Sequence, residues 1–493
     1  MNRQTALAPT SFWAVPAHHA ALRPDAVALV FGGQTTTYAQ LVRQTAQCAE
    51  TLWHDQGVRP GACVAWLGLN HPAQLVLLFA LARIGAALLP LNFRLTPAQW
   101  STQLHECNAT HLVHDEAWAE AATRLGQQCG VAVRPAAALH AAPDSARPDT
   151  ALPDASGEDR PALLVYTSGT TGQPRAAVHT QSQLLANMRI ASQAQQMTPH
   201  DRVLTVLPLF HVGGLCLQTL PALYAGASVT LHPRFDAGAT LETLERDRST
   251  LTLQVPATML ALVEHPTWPQ ADLNSLRAVW AGSSVLPVAL VRAFLDRGVP
   301  LCNVYGATET GPFSIALPPE SAATHAGSCG WPAPEVDIRL ADGELLVRGP
   351  NVVRHYVGGE SACDSAGWFH TGDLATQAAD GSYTIVGRAR DLIISGGENI
   401  HPLEIESAVG EHPAVAECAA FGLPHPRWGE AVAVAIVLRP GAELTPEALR
   451  RHLNGRLARF KLPGRVFFVD SLPKTALGKL QRAALAARFS DPG

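Results

Sequence analysis

Between Pro24 and Val113 the chain switches repeatedly between two hydrophobic rhythms. Apolar residues at helical spacing, as in TYAQLVRQTAQCAETLW, give way to short apolar runs closed by turn residues: ACVAWLGL, AALLPLN, THLVHD. Helical segments between short, continuously apolar strands are the pattern of a parallel sheet covered by helices. The alternation resumes at Asp201 with RVLTVLPLFH, ASVTLHP, LTLQVP, AVWAGSS and LCNVYGATE. Beyond Gly330 the runs EVDIRL, GELLVRG and SYTIVGR predict an antiparallel β subdomain. From Asp391 onward AVAVAIVLRP, PEALRRHLNGRL and RVFFVDSLP predict a smaller α+β unit. Single cores stop growing at roughly 250–300 residues, so 493 residues require at least two domains. The expected fold class is α/β. A large N-terminal domain of parallel α/β sheets plus a β subdomain is expected over residues 1–388, and a small C-terminal domain over 389–493. The Ala/Pro/Asp-rich stretch from Val131 to Pro161 reads as a variable connection.

Composition excludes several functions. At 47% hydrophobic, 16% charged and a net charge of −5, the chain is an ordinary globular protein, with no bulk basicity for nucleic acid or an anionic membrane. Its nine cysteines are scattered and form no C-x-x-C pair, which fits buried free thiols in a reducing compartment. The N-terminus lacks a continuous apolar signal core. The most membrane-like stretch, LVLLFALARIGAALLPLN, is interrupted by Arg83 and ends on Pro90, so a buried helix leading into a strand is expected, with no integral membrane segment. These features together predict a cytoplasmic protein.

Six consecutive hydroxyl and glycine residues, Thr167, Ser168, Gly169, Thr170, Thr171 and Gly172, follow the apolar run LLVY, and Arg175 comes soon after. Glycines let successive backbone N–H groups close around an anion, and hydroxyls add donors. In isolation such a loop is more often a plain turn, and the P-loop pattern G-x-x-x-x-G-K-[ST] is absent. Other clusters point the same way. VYGATETGP offers Tyr305 for base stacking, Thr308 for a phosphate oxygen and Glu309 for Mg²⁺. WFHTGDLA presents Asp373, GRARDLIISGGENI presents Arg388, Arg390 and a glycine pair, and LPKTALGK presents Lys479. From Arg451 to Gly493 nine Lys/Arg face two Asp. That balance suits either a solvated helix face or a surface approaching a polyanion.

The set YTSGTTGQPR, PLFHVGG, AGSSVLP, YGATETGP, GWFHTGD, GRARDLIISGGENI and LPKTALGK resembles, in order and spacing, the adenylate-forming superfamily. This is the superfamily of acyl- and aryl-CoA synthetases, peptide-synthetase adenylation domains and luciferases. The resemblance covers nearly the whole chain. It implies that a carboxylic acid and ATP give an acyl-adenylate and pyrophosphate, after which a thiol, commonly that of CoA, displaces AMP. ATP, Mg²⁺ and CoA are thus the implied ligands, and a homodimer is compatible with it.

By the same resemblance, Thr167 to Gly172 and Arg175 hold the departing phosphates. Relatives usually carry lysine and then glycine where this chain has Arg175 and Ala176. Tyr305 stacks on adenine, with Ser283 and Ser284 near the base edge. Thr308 binds the α-phosphate, Glu309 the Mg²⁺, Asp373 the ribose, and Arg388 the ribose or phosphate. Lys479, on a small mobile C-terminal domain, bridges substrate carboxylate and α-phosphate. That domain then rotates about Arg390, where relatives usually carry Asp or Lys. Rotation brings Gly396 and Gly397 in to line a pantetheine tunnel, with Trp428 and Phe460 against the nucleotide of CoA. His211 gates the acid pocket, as a shape element or an acid/base.

Pocket positions implied by the motifs are His211, Val212, Gly213, Ala281, Gly306 and Pro312. Apart from His211 they are small or apolar, and no cation marks a second carboxylate. A hydrophobic monocarboxylate follows, aryl or medium-chain fatty. Two alternatives stay open: a ligase loading a carrier-protein pantetheine, and a non-catalytic nucleotide sensor. Nothing within the 493 residues reads as a carrier domain, and intact Lys479, Glu309 and Asp373 speak against the sensor.

Overall fold

A computed structural model describes residues 9–140, 152, 159–167, 174–282, 286–395, 398–474 and 480–490. The chain forms two compact units: Met1–Ile338 with Val347–His370, and Arg339–Leu346 with Thr371–Gly493.

Two sheets build the first unit. In the larger, six strands run parallel in the order Leu301–Tyr305, Ala278–Ala281, Leu251–Gln254, Arg202–Thr205, Ser228–Leu231 and Val27–Phe31. Antiparallel strands extend both edges. The smaller sheet orders Ala132–Pro135, Ala109–His114, Cys63–Leu67, Ala87–Pro90, Pro161–Thr167 and Arg175–Thr180. All of its pairs are parallel except the last, an antiparallel hairpin. The apolar runs of the sequence are these strands. Cys63–Leu67, Ala87–Pro90, Leu251–Gln254 and Ala278–Ala281 are buried along their whole length, as strands covered on both faces must be.

The membrane-like stretch is the helix Pro72–Ile84 followed by the strand Ala87–Pro90. Pro72 opens the helix with a preset φ, and the His71 side chain accepts the Ala73 N–H. Gly85, at φ +85°, closes it in the left-handed conformation that disfavours a side chain. Every helix residue except Pro72 and Arg83 is buried. Arg83, the interrupting charge, lies over the Trp13 ring at 5.6 Å. Each fully buried leucine here contributes about 1.5–3 kcal/mol. Among the described residues no helix is long and apolar enough to cross a membrane.

The strand Ala132–Pro135 lies inside the stretch expected to be only a connection. It pairs with Ala109–His114 at the sheet edge, and its side chains are mostly exposed, so it carries no apolar alternation.

The antiparallel sheet expected beyond Gly330 has four strands, Asp337–Ala341, Glu344–Arg348, Phe369–Gln377 and Tyr383–Arg388. Most of it belongs to the second unit. Beyond it, Glu398–Ile400, Ile393–Ser395, Gly429–Leu438, Val415–His425 and Arg465–Phe468 form a five-stranded sheet. Its two faces hold separate apolar clusters, one around Ile400, Ile405, Val434 and Leu453, the other around Phe421, Ala433 and Leu485.

Candidate active site

The antiparallel hairpin Pro161–Thr167 and Arg175–Thr180 brackets the hydroxyl–glycine loop. Thr167 stands opposite Arg175 in the ladder. Ser168, Gly169, Thr170, Thr171 and Gly172 lie outside the described residues, as do Ser283, Ser284, Gly396, Gly397 and Lys479. Thr180 ends the hairpin and caps the next helix, Gln181–Ala194, through a reciprocal capping box with Gln183. The Gln183 amide then donates to the Val352 carbonyl at 2.8 Å. That bond anchors a returning segment along the hairpin edge. Val178 N–H donates to His355 O, Val357 N–H donates to Ala176 O, and Tyr356 bridges Ala177.

The returning segment supplies site residues that sequence reasoning missed. The buried Tyr356 hydroxyl donates to Glu309 Oε1 at 3.1 Å. Its ring lies under the Arg175 guanidinium, 4.0 Å from centroid to carbon. Arg175 Nη1 donates to Glu360 Oε1 at 2.6 Å. Burial, the nearby Glu309 charge and the bond to it push the Tyr356 phenol well above its usual range, so it stays a donor. The sequence signal for these residues is an aromatic beside a Gly-Gly-Glu turn, HYVGGE, which is too common to single out.

Glu309 and Thr308 sit on the 3₁₀ turn Thr308–Thr310, directly after the strand Leu301–Tyr305, and both are buried. Thr310 closes the turn by accepting the Ala307 N–H at 2.9 Å. Asn351, fully buried and also missed from sequence, donates to the Thr310 and Phe313 carbonyls at 2.9 and 3.0 Å. Gly306 admits no substitution: a Cβ there would stand 1.5 Å from the Pro312 carbonyl oxygen. Tyr305, Gly306, Thr308, Glu309 and Pro312 are thereby held rigidly past the carboxyl end of one strand. Ala281 ends the neighbouring parallel strand, in register with Asn303. The segment carrying His211, Val212 and Gly213 follows a third strand of the same sheet. Ligands of open α/β sheets bind at such carboxyl ends.

Among the described residues Glu309 has a phenol donor but no cation within ion-pair distance. A buried carboxylate left this way fits one ligand of a Mg²⁺ that takes its other oxygens from phosphates and water. His211 caps its short helix, and its Nδ1 accepts the Gly213 N–H at 3.0 Å. Burial lowers its pKa to about 4. The ring is thus neutral at neutral pH with one nitrogen already committed, which suits a shape element better than a base. Val212, next to it in sequence, and Ala281, at the end of its own strand, are both buried.

In the second unit Asp373 and Arg388 face each other across adjacent strands, with Nε to Oδ1 at 2.9 Å. Arg390 is exposed on the turn Ala389–Asp391 that leaves this sheet. Trp428 and Phe460 are 45% and 47% exposed, so neither merely packs. Arg427 lies over the Trp428 ring at 4.6 Å and Lys461 over the Phe460 ring at 5.5 Å. The residues flanking Lys479 are pinned: Lys474 bridges Leu480, and Gln481 N–H donates to Pro473 O at 3.0 Å. Much of the basic surplus of the tail is neutralised within this unit. Arg456 pairs with Glu411, Lys461 with Glu404, Lys474 with Glu417, and Arg482 with Glu406 and Asp391.

The profile of the AMP-binding enzyme family matches residues 16–357, and that of the AMP-binding enzyme C-terminal domain matches residues 404–479. An indoleacetate–CoA ligase of Aromatoleum aromaticum is 40% identical, over 94% of this chain and 95% of the relative. A feruloyl-CoA synthase of an Amycolatopsis species is 40% identical, over 96% and 98%. The o-succinylbenzoate CoA synthetase of Bacillus subtilis, solved with ATP and magnesium ion, superposes with a TM-score of 0.85 at 30% identity, covering 96% of this chain and 99% of its own. By sequence over nearly its whole length and by fold, the chain belongs to the AMP-binding enzyme family, among the AMP-forming acid–CoA ligases.

Proposed function

We propose that this ligase activates an aromatic monocarboxylate with ATP and transfers the acyl group to CoA. The observation that carries the aryl reading is the pair of relatives at 40% identity over nearly the full chain, named for indoleacetate and ferulate. The small and apolar pocket positions Val212, Gly213, Ala281 and Gly306 support it, since a flat ring needs width without charge.

In the first half-reaction a carboxylate oxygen attacks the α-phosphorus. The bond to the β-phosphate oxygen breaks, and pyrophosphate leaves. Arg175 and the hydroxyl–glycine loop attract the departing phosphates, Tyr305 stacks on adenine, and Thr308 bonds the α-phosphate. Asp373 accepts the ribose hydroxyls, with Arg388 holding the Asp373 carboxylate in place. Glu309 holds Mg²⁺, which when bound neutralises phosphate charge. Lys479 lies between the two anions and offsets their repulsion in the in-line transition state. His211 shapes the pocket wall and takes no proton.

In the second half-reaction the small domain turns about Arg390, and Gly396 and Gly397 line the thiol path. Trp428 and Phe460, exposed rings beside cations, receive the CoA nucleotide. The CoA sulfur then attacks the acyl carbon and AMP departs. A reducing, cytoplasmic setting fits nine cysteines that are all free. A panel of aryl and fatty acids scored by AMP release with CoA present tests the reading. Turnover is expected with arylacetates or cinnamates, and a preference for medium-chain fatty acids would overturn the aryl assignment.

A further inference from the structure

Arg175 has a partner that the chemistry above does not require. Its Nη1 donates to Glu360, 185 residues away, while its plane lies on the Tyr356 ring. Among the described residues its Nε is buried with no hydrogen-bond partner. The turn that presents Glu360 is tight: Tyr356 N–H donates to Glu360 O, and Gly358 and Gly359 take φ of +93° and +87°. Lysine could not lie flat on the ring and still present a fork, so the geometry accounts for arginine at this position.

The Glu360 side chain is 64% exposed and that of Arg175 22%. So exposed an ion pair adds little to folding stability. It does, however, place a tethered anion on the cation at the base of the phosphate loop.

We infer that Glu360 is a positioning residue for the phosphate site: it holds the Arg175 guanidinium against Tyr356 when no anion is bound and competes with pyrophosphate for it. This rests on the reading of Arg175 as a phosphate contact. On nucleotide binding a phosphate oxygen replaces the carboxylate on the fork. After adenylation the carboxylate returns and aids departure of the product.

Titration calorimetry with magnesium pyrophosphate on the full chain tests this. Glu360→Gln is expected to tighten pyrophosphate about two- to fivefold, the scale of one exposed ion pair. Pyrophosphate inhibition of AMP formation should tighten in step, with the KM for the acid unchanged. Glu360→Asp, which keeps the charge, should lie nearer the unaltered protein. In an Arg175→Ala background the Glu360→Gln effect should vanish. Unchanged or weaker affinity in Glu360→Gln, or tightening that survives in Arg175→Ala, overturns the inference alone. If the unaltered protein binds no magnesium pyrophosphate, the phosphate-site reading falls and the inference with it.

Discussion

Arg482 and Asp391 are joined by a 3.2 Å hydrogen bond from guanidinium Nη1 to carboxylate Oδ2. The same guanidinium reaches both oxygens of Glu406 at 2.8 Å and the Ala420 carbonyl at 3.2 Å. One side chain thereby ties the turn bearing Arg390 to the start of the final helix, Arg482–Phe489, close in sequence to Lys479. Burial pushes the Glu406 carboxyl above its usual range, and Arg482 opposes that shift.

Removing Arg482 would leave two facing carboxylates, the Glu406 side chain only 11% exposed. Arg482→Ala is expected to destabilise the C-terminal unit by about 3–5 kcal/mol, the usual result of orphaning a buried charge. Arg482→Lys should recover only part of this, because a point charge cannot bond Glu406 bidentately. Urea unfolding of the full chain measures both, and a loss below about 1 kcal/mol in the alanine variant would show the cluster to be structurally idle.

Tyr356→Phe deletes the hydroxyl on Glu309 and keeps the ring under Arg175. One hydrogen bond to a charged group is at stake, so half-saturation by Mg²⁺ should rise roughly three- to tenfold. Because the buried Glu309 carboxylate then loses its donor, the melting temperature should also fall by a few degrees. An unaltered metal requirement would mean that the phenol does not hold Glu309 for the ion.

His179 is fully buried on the strand Arg175–Thr180, and among the described residues neither ring nitrogen has a hydrogen-bond partner. Burial lowers its pKa to about 4, as it does for His211. Both folded values lie below the ordinary 6.5, so the unfolded chain binds more protons below that pH. Their stabilisation is complete above about pH 6.5 and is lost as pH falls towards 4. Each histidine should add up to about 1.4 kcal/mol per pH unit to the slope in that window. Unfolding followed from pH 7 to 4.5 should be less steep in His179→Leu; an identical slope contradicts the assignment.

Lys479→Ala should lower acid-dependent pyrophosphate exchange by at least roughly a hundredfold, the scale of losing one group that stabilises transition-state charge. Thioester formation from supplied acyl-adenylate should stay within a few-fold. Equal loss of both half-reactions would remove the assigned role.

Several features were legible in the chain because they are local. Short apolar runs between helical repeats marked the parallel strands, and the continuous burial of Cys63–Leu67 and Ala87–Pro90 gives the reason. Glycine, hydroxyl and proline clusters marked the strand ends, where the backbone must turn, and their order along the chain carried the family. The strand Val415–His425, the longest in the C-terminal sheet, passed unnoticed because alanine and glycine blur its alternation. Other features exist only through distant contacts. Nothing near Arg175 in sequence announces Tyr356 or Glu360, and nothing near Glu309 announces the phenol that holds it. The tail read as a basic surplus until Glu404, Glu406, Glu411 and Glu417 met it across the fold. Periodicity and turn chemistry act between neighbours and so determine the elements. Which charges and rings share a site depends on how those elements pack, and that only the tertiary structure decided.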